Sequence, residues 1–180
     1  YLIAWLTPPW RLATWQGTAL EPLPFLPAFT LLYLCVDPLA ILPYATLSGR
    51  AAQARYAAGN VAIVLVSMAA WALYPLQLPR GPLPDAPGAG LWALRALHGA
   101  DPASNCLPST HCAVALYAAI ALLRADRWLG AWAVVTAALI GIATLLTRQH
   151  YVADVVSGYA LALAADAVAR RMLPLGTERT

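Results

Sequence analysis

Lysine is missing from this chain, and charge of either sign is scarce: eleven arginines and eight acidic residues stand among 180 residues. The arginines occur in ones and twos between apolar stretches. No basic run is long enough to follow a nucleic-acid backbone, which argues against nucleic acid as a partner. With 61% hydrophobic and 11% charged residues, the chain is too apolar for a soluble domain. The composition therefore predicts an integral membrane protein.

Cysteine is also scarce, and the three cysteines do not stand at a spacing that binds metal. Cys106 and Cys112 flank a Pro-Ser-Thr-His sequence, and a disulfide between them requires a sharp turn of the intervening backbone. The alternative is that both pack as small apolar residues, like Cys35. Both possibilities stay open at the level of the sequence.

Five apolar stretches are long enough, or nearly so, for the roughly 20 residues that cross a bilayer. They cover about residues 26–47, 56–76, 108–124, 129–147 and 150–169. The pattern predicts an all-α polytopic transmembrane helix bundle with five to six spans, because residues 1–6 resemble the end of a further span. We divide the chain into an N-terminal stub and interfacial segment (1–22), a membrane-embedded core (23–172) and a cytoplasmic tail (173–180).

The arginines also predict the orientation of the bundle. Alternating spans place seven arginines on one side and four on the other, and the positive-inside rule assigns the richer side to the cytoplasm. The cytoplasmic set is Arg50, Arg55, Arg124, Arg127, Arg170, Arg171 and Arg179, and the outer set is Arg11, Arg80, Arg95 and Arg148. The protein is therefore expected in a plasma membrane, such as a bacterial inner membrane.

Two segments of this sequence need separate interpretations. The long connection at 77–107 is rich in proline and glycine, and its apolar stretch 91–97 predicts a short interfacial helix on the extracytoplasmic side. Asp37, followed by a proline inside the first apolar stretch, is either a site residue, part of a helix break with local hydrogen bonds, or a protonated acid.

Two short motifs carry the chemistry: the first is Pro-Ser-Thr-His at 108–111, and the second is Arg-Gln-His-Tyr-Val-Ala-Asp at 148–154. In the second, His150 and Asp154 are four residues apart at the predicted start of a helix, so they share one face and the carboxylate can fix the imidazole tautomer. An imidazole held in this way is a competent nucleophile toward phosphorus. In the first motif, His111 is expected on the same side of the membrane, where it can protonate a leaving alkoxide and then deprotonate water.

Phosphoryl transfer also needs fixed donors for the equatorial oxygens. Arg148 and Arg80 can supply guanidinium groups, and Ser109 and Thr110 can supply hydroxyl and backbone N–H donors at a helix start. Each residue also has a simpler interpretation, since serine before a helix is ordinary capping and an arginine near a span end often only reaches toward the interface. The combination on one side of one membrane favours a site.

The order of these motifs resembles the type 2 phosphatidic acid phosphatase superfamily, whose pattern is a basic motif, then Pro-Ser-x-His, then a motif ending in His-x-x-x-Asp. The resemblance covers about residues 25–172 and implies a role for each matching residue. It implies that His150 is the nucleophile, Asp154 its orienting partner, His111 the acid–base residue, Ser109 a phosphate donor and Arg80 the arginine of the first motif.

Two parts of the family pattern are replaced. Leu73 and Gly81 stand where the first motif has lysine and proline, and Ala143 and Thr144 stand where the third motif has Ser-Arg. The sequence Thr-x-x-Thr-Arg-Gln-His-Tyr at 144–151 is similar to the branch related to inositol phosphorylceramide synthases. Arg148 is then expected to replace the missing arginine.

These features together predict a metal-independent lipid phosphatase that hydrolyses a phosphomonoester or pyrophosphate of a lipid through a phosphohistidine. The expected partners are the phosphorylated lipid and the bilayer, no cofactor is expected, and the site faces away from the cytoplasm. Three alternatives remain. They are a phosphotransferase that moves a headgroup between lipid alcohols, a metal-dependent hydrolase with His111, His150 and Asp154 as ligands, and a non-catalytic lipid-binding protein.

Overall fold

The computed structural model describes residues 13–14, 23–101 and 103–174. A 3-10 turn at Pro27–Phe29 is followed by helices α1 (Thr30–Tyr33), α2 (Val36–Thr46), α3 (Arg50–Leu73), α4 (Ala89–Ala100), α5 (Thr110–Ala125), α6 (Arg127–Leu146) and α7 (Val152–Met172). Two-residue strands, β1 (Ala13–Thr14) and β2 (Leu76–Gln77), pair in parallel. Apart from this pair the regular structure of the described residues is helical, which confirms the all-α prediction.

Within the described part of the chain, four helical segments are long and apolar enough to cross a membrane: Pro27–Thr46, which contains α1 and α2, and helices α3, α6 and α7. Each exposes large aliphatic side chains, and more than half the surface is exposed at Ile41, Val61, Leu65, Val135 and Leu163. Such apolar surface is a liability in water but suits contact with lipid. α5 is apolar but shorter, at 16 residues, and the count of five to six spans stays a prediction.

Helix α5 lies at the centre of the bundle, where it packs against α2, α3, α6 and α7. Its buried surface is rich in alanine (Ala113, Ala115, Ala118 and Ala119), and small residues let neighbouring helices approach closely. In α3, a Cβ atom on Gly59 would lie 2.0 Å from the Tyr117 hydroxyl oxygen. Helix α5, whose first turn carries His111, is therefore held in place by helices on several sides.

The bundle separates two sets of connections. The segments 74–109 and 147–151 lie at one end, while the short connections at 47–49 and 126 lie at the other. At that second end the Asp166 carboxylate accepts hydrogen bonds from Arg124 at 2.5 and 2.7 Å and lies 3.1 Å from Arg170. Both histidine motifs are thus at the same end, and the orientation of that end in a membrane stays a prediction.

The break in the first apolar stretch is a helix interruption at Leu34 and Cys35. Asp37 follows in the first turn of α2 and is exposed, a position where the helix dipole favours a negative charge. All three cysteines are free, so Cys106 and Cys112 form no disulfide. Helix α4 includes the predicted stretch 91–97, and its location at a membrane interface stays a prediction. Residues 1–6, Arg11, Arg179 and the tail beyond residue 174 lie outside the described residues.

Candidate active site

Two segments distant in sequence bring the two histidine motifs together. One is the start of α5, and the other is the turn that joins α6 to α7. The ring centroids of His111 and His150 are 6.1 Å apart, and His150 is 7% exposed. The two rings face a common region at one end of the bundle.

His150 does not stand in a helix, as the spacing had suggested, but in the turn before α7. The pairing with Asp154 forms nevertheless, because Tyr151 is the N-cap and Asp154 the third helical residue. Oδ2 of Asp154 accepts a hydrogen bond from the Tyr151 backbone N–H at 2.8 Å and lies 3.4 Å from Nδ1 of His150. A buried carboxylate on Nδ1 leaves Nε2 as the free nitrogen.

His111 has a partner that the sequence did not reveal. The Tyr33 hydroxyl lies 2.9 Å from both ring nitrogens of His111, and the two ring centroids are 4.6 Å apart. Tyr33 ends α1 and is 1% exposed. In the sequence it is one aromatic residue within an apolar stretch, so only its contact with His111 in the folded chain identifies it.

The Pro-Ser-Thr-His motif begins α5 and joins it to α7. Ser109 is the N-cap, where its hydroxyl oxygen accepts from the Cys112 N–H at 3.4 Å. Its own N–H donates to the Asp154 carbonyl oxygen at 3.0 Å. A Cβ atom on Gly158 would lie 2.4 Å from the Ser109 carbonyl oxygen, so α7 passes directly against this motif. The buried hydroxyl of Thr110 has no hydrogen-bond partner among the described residues.

Arg80 is connected to the turn that carries His150. Its guanidinium donates to the Asp101 carbonyl oxygen at 2.5 Å and to Oε1 of Gln149 at 3.1 Å, and it lies 3.6 Å from the Asp101 carboxylate. The pKa of Asp101 is raised, because burial outweighs the hydrogen bond from Asn105 and the charge of Arg80, which both lower it. Nε of Arg80 is buried without a hydrogen-bond partner in the part of the chain that the structure describes.

Gln149 and His98 complete this network and were also missed by the sequence reasoning. Since arginine can only donate, the amide oxygen of Gln149 must face Arg80. Its nitrogen, 3.0 Å from Nε2 of His98, then donates to that ring, so His98 accepts and is neutral. Burial and the nearby Arg80 both lower the pKa of His98, which agrees with a neutral ring. The only available signal was that Gln149 directly precedes His150.

Arg148 adopts a left-handed backbone with φ of 53°. Its guanidinium carbon lies 5.5 Å from the centre of the Phe25 ring. The residue borders a cavity of about 210 Å³ with His150 and a second of about 130 Å³ with Arg80 and His98. The Thr144 hydroxyl donates to the Gly141 carbonyl oxygen at 2.7 Å, so it is committed to its own helix. The role of Arg148 in binding phosphate stays a prediction.

Cys106, His150 and Asp154 offer potential metal ligands within 4.8 Å of one another. This set differs from the one considered from sequence, since Cys106 takes the place of His111. Burial raises the pKa of the Cys106 thiol to about 12, and its Sγ donates to the Ala103 carbonyl oxygen at 3.3 Å. The thiolate is the form that binds metal, so this environment favours a packed thiol.

A family model described as the PAP2 superfamily matches residues 4–168. The match spans all the residues of the site described above, from Tyr33 to Asp154. Comparison with curated proteins and with solved structures gives no match.

Proposed function

The chain belongs to the PAP2 superfamily, and from this premise we propose that it is an integral membrane lipid phosphatase with His150 as nucleophile. Superfamily membership supports phosphatase or phosphotransferase activity on phosphorylated substrates. The proposal adds the lipid, the phosphohistidine and the roles of individual residues.

The observation that carries the proposal is a pair of buried donors without partners among the described residues. These are Oγ1 of Thr110, which directly precedes His111, and Nε of Arg80, whose guanidinium bonds Gln149 next to His150. An unsatisfied buried donor costs about 1–3 kcal/mol, and such a group requires an explanation. Equatorial phosphoryl oxygens would accept from both donors and would gain fixed charge stabilisation.

The proposed reaction has two steps. In the first, Nε2 of His150 attacks phosphorus, the bond to the lipid oxygen breaks, and His111 gives that oxygen a proton. In the second, His111 takes a proton from water, whose oxygen displaces His150 and releases phosphate. A near-attack contact of ~3 Å and a proton-transfer contact of ~3 Å suit rings whose centroids are 6.1 Å apart.

A lipid substrate is supported by the surroundings of His150. The cavity that His150 borders is otherwise lined mainly by apolar side chains, among them Leu23, Leu78 and Leu145. Its volume of about 210 Å³ accommodates a headgroup rather than a whole lipid. The acyl chains would then remain in the bilayer, against the exposed apolar side chains of the long helices. We further propose that this end faces away from the cytoplasm of a bacterial inner membrane.

The direct test is to trap the phosphoenzyme. Purified protein mixed with a phosphorus-labelled lipid phosphate in detergent should form an acid-labile, base-stable label, which His150→Ala should abolish together with turnover. Activity should survive EDTA and be inhibited by vanadate, which mimics the phosphoryl transition state. Equal labelling of His150→Ala would remove the nucleophile assignment, and loss of activity in EDTA restored by zinc would favour a metal-dependent reaction.

Transfer of the phosphoryl headgroup to a second lipid alcohol is the other candidate. It is favoured by a further cavity of about 250 Å³ that borders His111, where an acceptor alcohol could replace water. The Thr-x-x-Thr-Arg-Gln-His-Tyr sequence at 144–151 also supports it through its resemblance to the inositol phosphorylceramide synthase branch. Formation of a new phospholipid, compared with release of free phosphate, separates the two reactions.

A further inference from the structure

The cavity beside His111 differs in charge from the cavity near Arg80. The first, which we call the His111 cavity, is bordered by His111, Tyr33, Asp37, Asp101 and apolar side chains of α1, α2 and α4. The second, which we call the arginine cavity, is bordered by Arg80, Arg148 and His98. Carboxylates thus border the His111 cavity, and guanidinium groups border the arginine cavity.

The two carboxylates of the His111 cavity are not equivalent. Asp101 is buried, accepts a hydrogen bond from Asn105 at 2.5 Å and lies 3.6 Å from Arg80, so its charge is largely offset. Asp37 is exposed, and its carboxylate has no hydrogen bond or ion pair within the described residues. Among the described residues, Asp37 therefore supplies the negative charge of this cavity that no ion pair offsets.

The proposed mechanism decides which part of the substrate reaches this cavity. In an in-line displacement the leaving oxygen departs on the side opposite the nucleophile. His150 attacks and His111 protonates, so the alcohol attached to that oxygen lies on the His111 side. A carboxylate beside the departing alcohol attracts an ammonium group or a hydroxyl donor and repels a second phosphate.

We propose that the His111 cavity binds the leaving alcohol, and that Asp37 selects alcohols with a hydrogen-bond donor next to the reacting oxygen. The proposal rests on the proposed phosphatase function and narrows it. Lipid phosphomonoesters of amino- or hydroxy-alcohols are preferred, and lipid pyrophosphates, whose leaving group is itself a phosphate ester, are disfavoured.

A matched series of synthetic substrates tests this selection. The series contains dodecyl phosphate, 2-hydroxydodecyl phosphate, 2-aminododecyl phosphate and dodecyl pyrophosphate, and kcat/KM is measured for each in mixed micelles. Wild-type protein should prefer the amino compound over dodecyl phosphate by at least ~10-fold, the scale of one charge-assisted hydrogen bond. Dodecyl pyrophosphate should be the poorest substrate. If the hydrogen-bond donor matters and its charge does not, kcat/KM for the 2-hydroxy compound should exceed that for dodecyl phosphate by the same factor.

The variants assign the preference to Asp37. Asp37→Asn should reduce the ratio of amino compound to dodecyl phosphate to within about threefold of unity, whereas Asp37→Glu, which keeps the charge, should restore most of it. Asparagine is accepted near a helix start, and melting temperatures check that the variants fold. The matched control is Asp85→Asn, because Asp85 is an exposed carboxylate that borders neither cavity and lies 4.0 Å from Arg95. Its ratios should equal those of the wild type.

Two results would overturn the selection by Asp37. One is a wild-type ratio that persists in Asp37→Asn, and the other is a wild-type preference for the pyrophosphate. If no compound in the series is hydrolysed, the phosphatase function fails instead, and binding still tests the cavity. 2-Aminododecanol should then bind at least ~10-fold more tightly than dodecanol to the wild type but not to Asp37→Asn, and equal affinities would remove the subsite.

Discussion

At the scale of single residues, Asp154 combines three tasks. Its carboxylate caps the start of α7 through the Tyr151 N–H and orients the His150 ring, while its backbone oxygen accepts from Ser109. The residue that orients His150 therefore also fixes where the Pro-Ser-Thr-His motif lies. Oδ1 of Asp154 is buried with no partner among the described residues, so this carboxylate is held by one oxygen.

Arg148 tests whether the missing arginine of the third motif has been replaced. Arg148→Gln should lower kcat by on the order of 10²-fold or more, the scale expected for losing a donor to the transition-state charge. Arg148→Lys should recover only part, since a point charge cannot reproduce bidentate contact. The measurement is steady-state turnover of a lipid phosphate. Near-full activity of Arg148→Gln with inactive His150→Ala would move this role to Arg80 or Arg95.

His98 should make thermal stability depend on pH in a known direction. Its pKa is lowered in the folded protein, so between that pKa and the ordinary value of about 6.5 the unfolded chain binds more protons. The contribution of neutral His98 is thus present above pH ~6.5 and is lost as the pH falls through the folded pKa.

The comparison for this prediction is His98→Asn, which can still accept from Gln149 but does not titrate. Melting temperatures are measured in detergent from pH 7.5 to 5. The wild type should lose more stability than His98→Asn across this range. Parallel curves for the two proteins would mean that protonation of His98 does not contribute to the loss of stability at low pH.

At the scale of elements, we expect the contact between α5 and α7 to set the distance between the two histidines. Gly158→Ala should lower both kcat and the melting temperature, because the added Cβ atom would lie 2.4 Å from the Ser109 carbonyl oxygen and push the two helices apart. Gly99→Ala is the control, since a Cβ there meets no atom within 4 Å. Wild-type kinetics in Gly158→Ala would show that this contact does not set the geometry of the site.

At the scale of the whole molecule, the arginine distribution predicts the orientation in the membrane. Single cysteines introduced beside Arg80 or at Gly99, in a background without native cysteines, should react with impermeant thiol reagents added to intact cells. Cysteines near Arg127, at the opposite end of the bundle, should not react until the cells are permeabilised. The reverse pattern would place the site on the cytoplasmic side.

Sequence by itself determined the features that depend on near neighbours. Apolar stretches predicted the bounds of the long apolar helices to within a few residues, except that α3 begins six residues before the predicted start. The pairing of His150 with Asp154 also followed from spacing, although the turn before α7 rather than a helical face brings them together. Capping and helix periodicity act over a few residues, which is why the sequence encodes them directly.

Tertiary structure alone decided the contacts between distant segments. Tyr33 reaches His111 across 78 residues, and Gln149 meets His98 across 51. The same is true of Asp37, which looked like a costly charge within a span and proved to border the His111 cavity after a helix break. Such partners depend on how separate segments pack against one another, and side-chain packing between helices follows no local periodicity that the sequence alone displays.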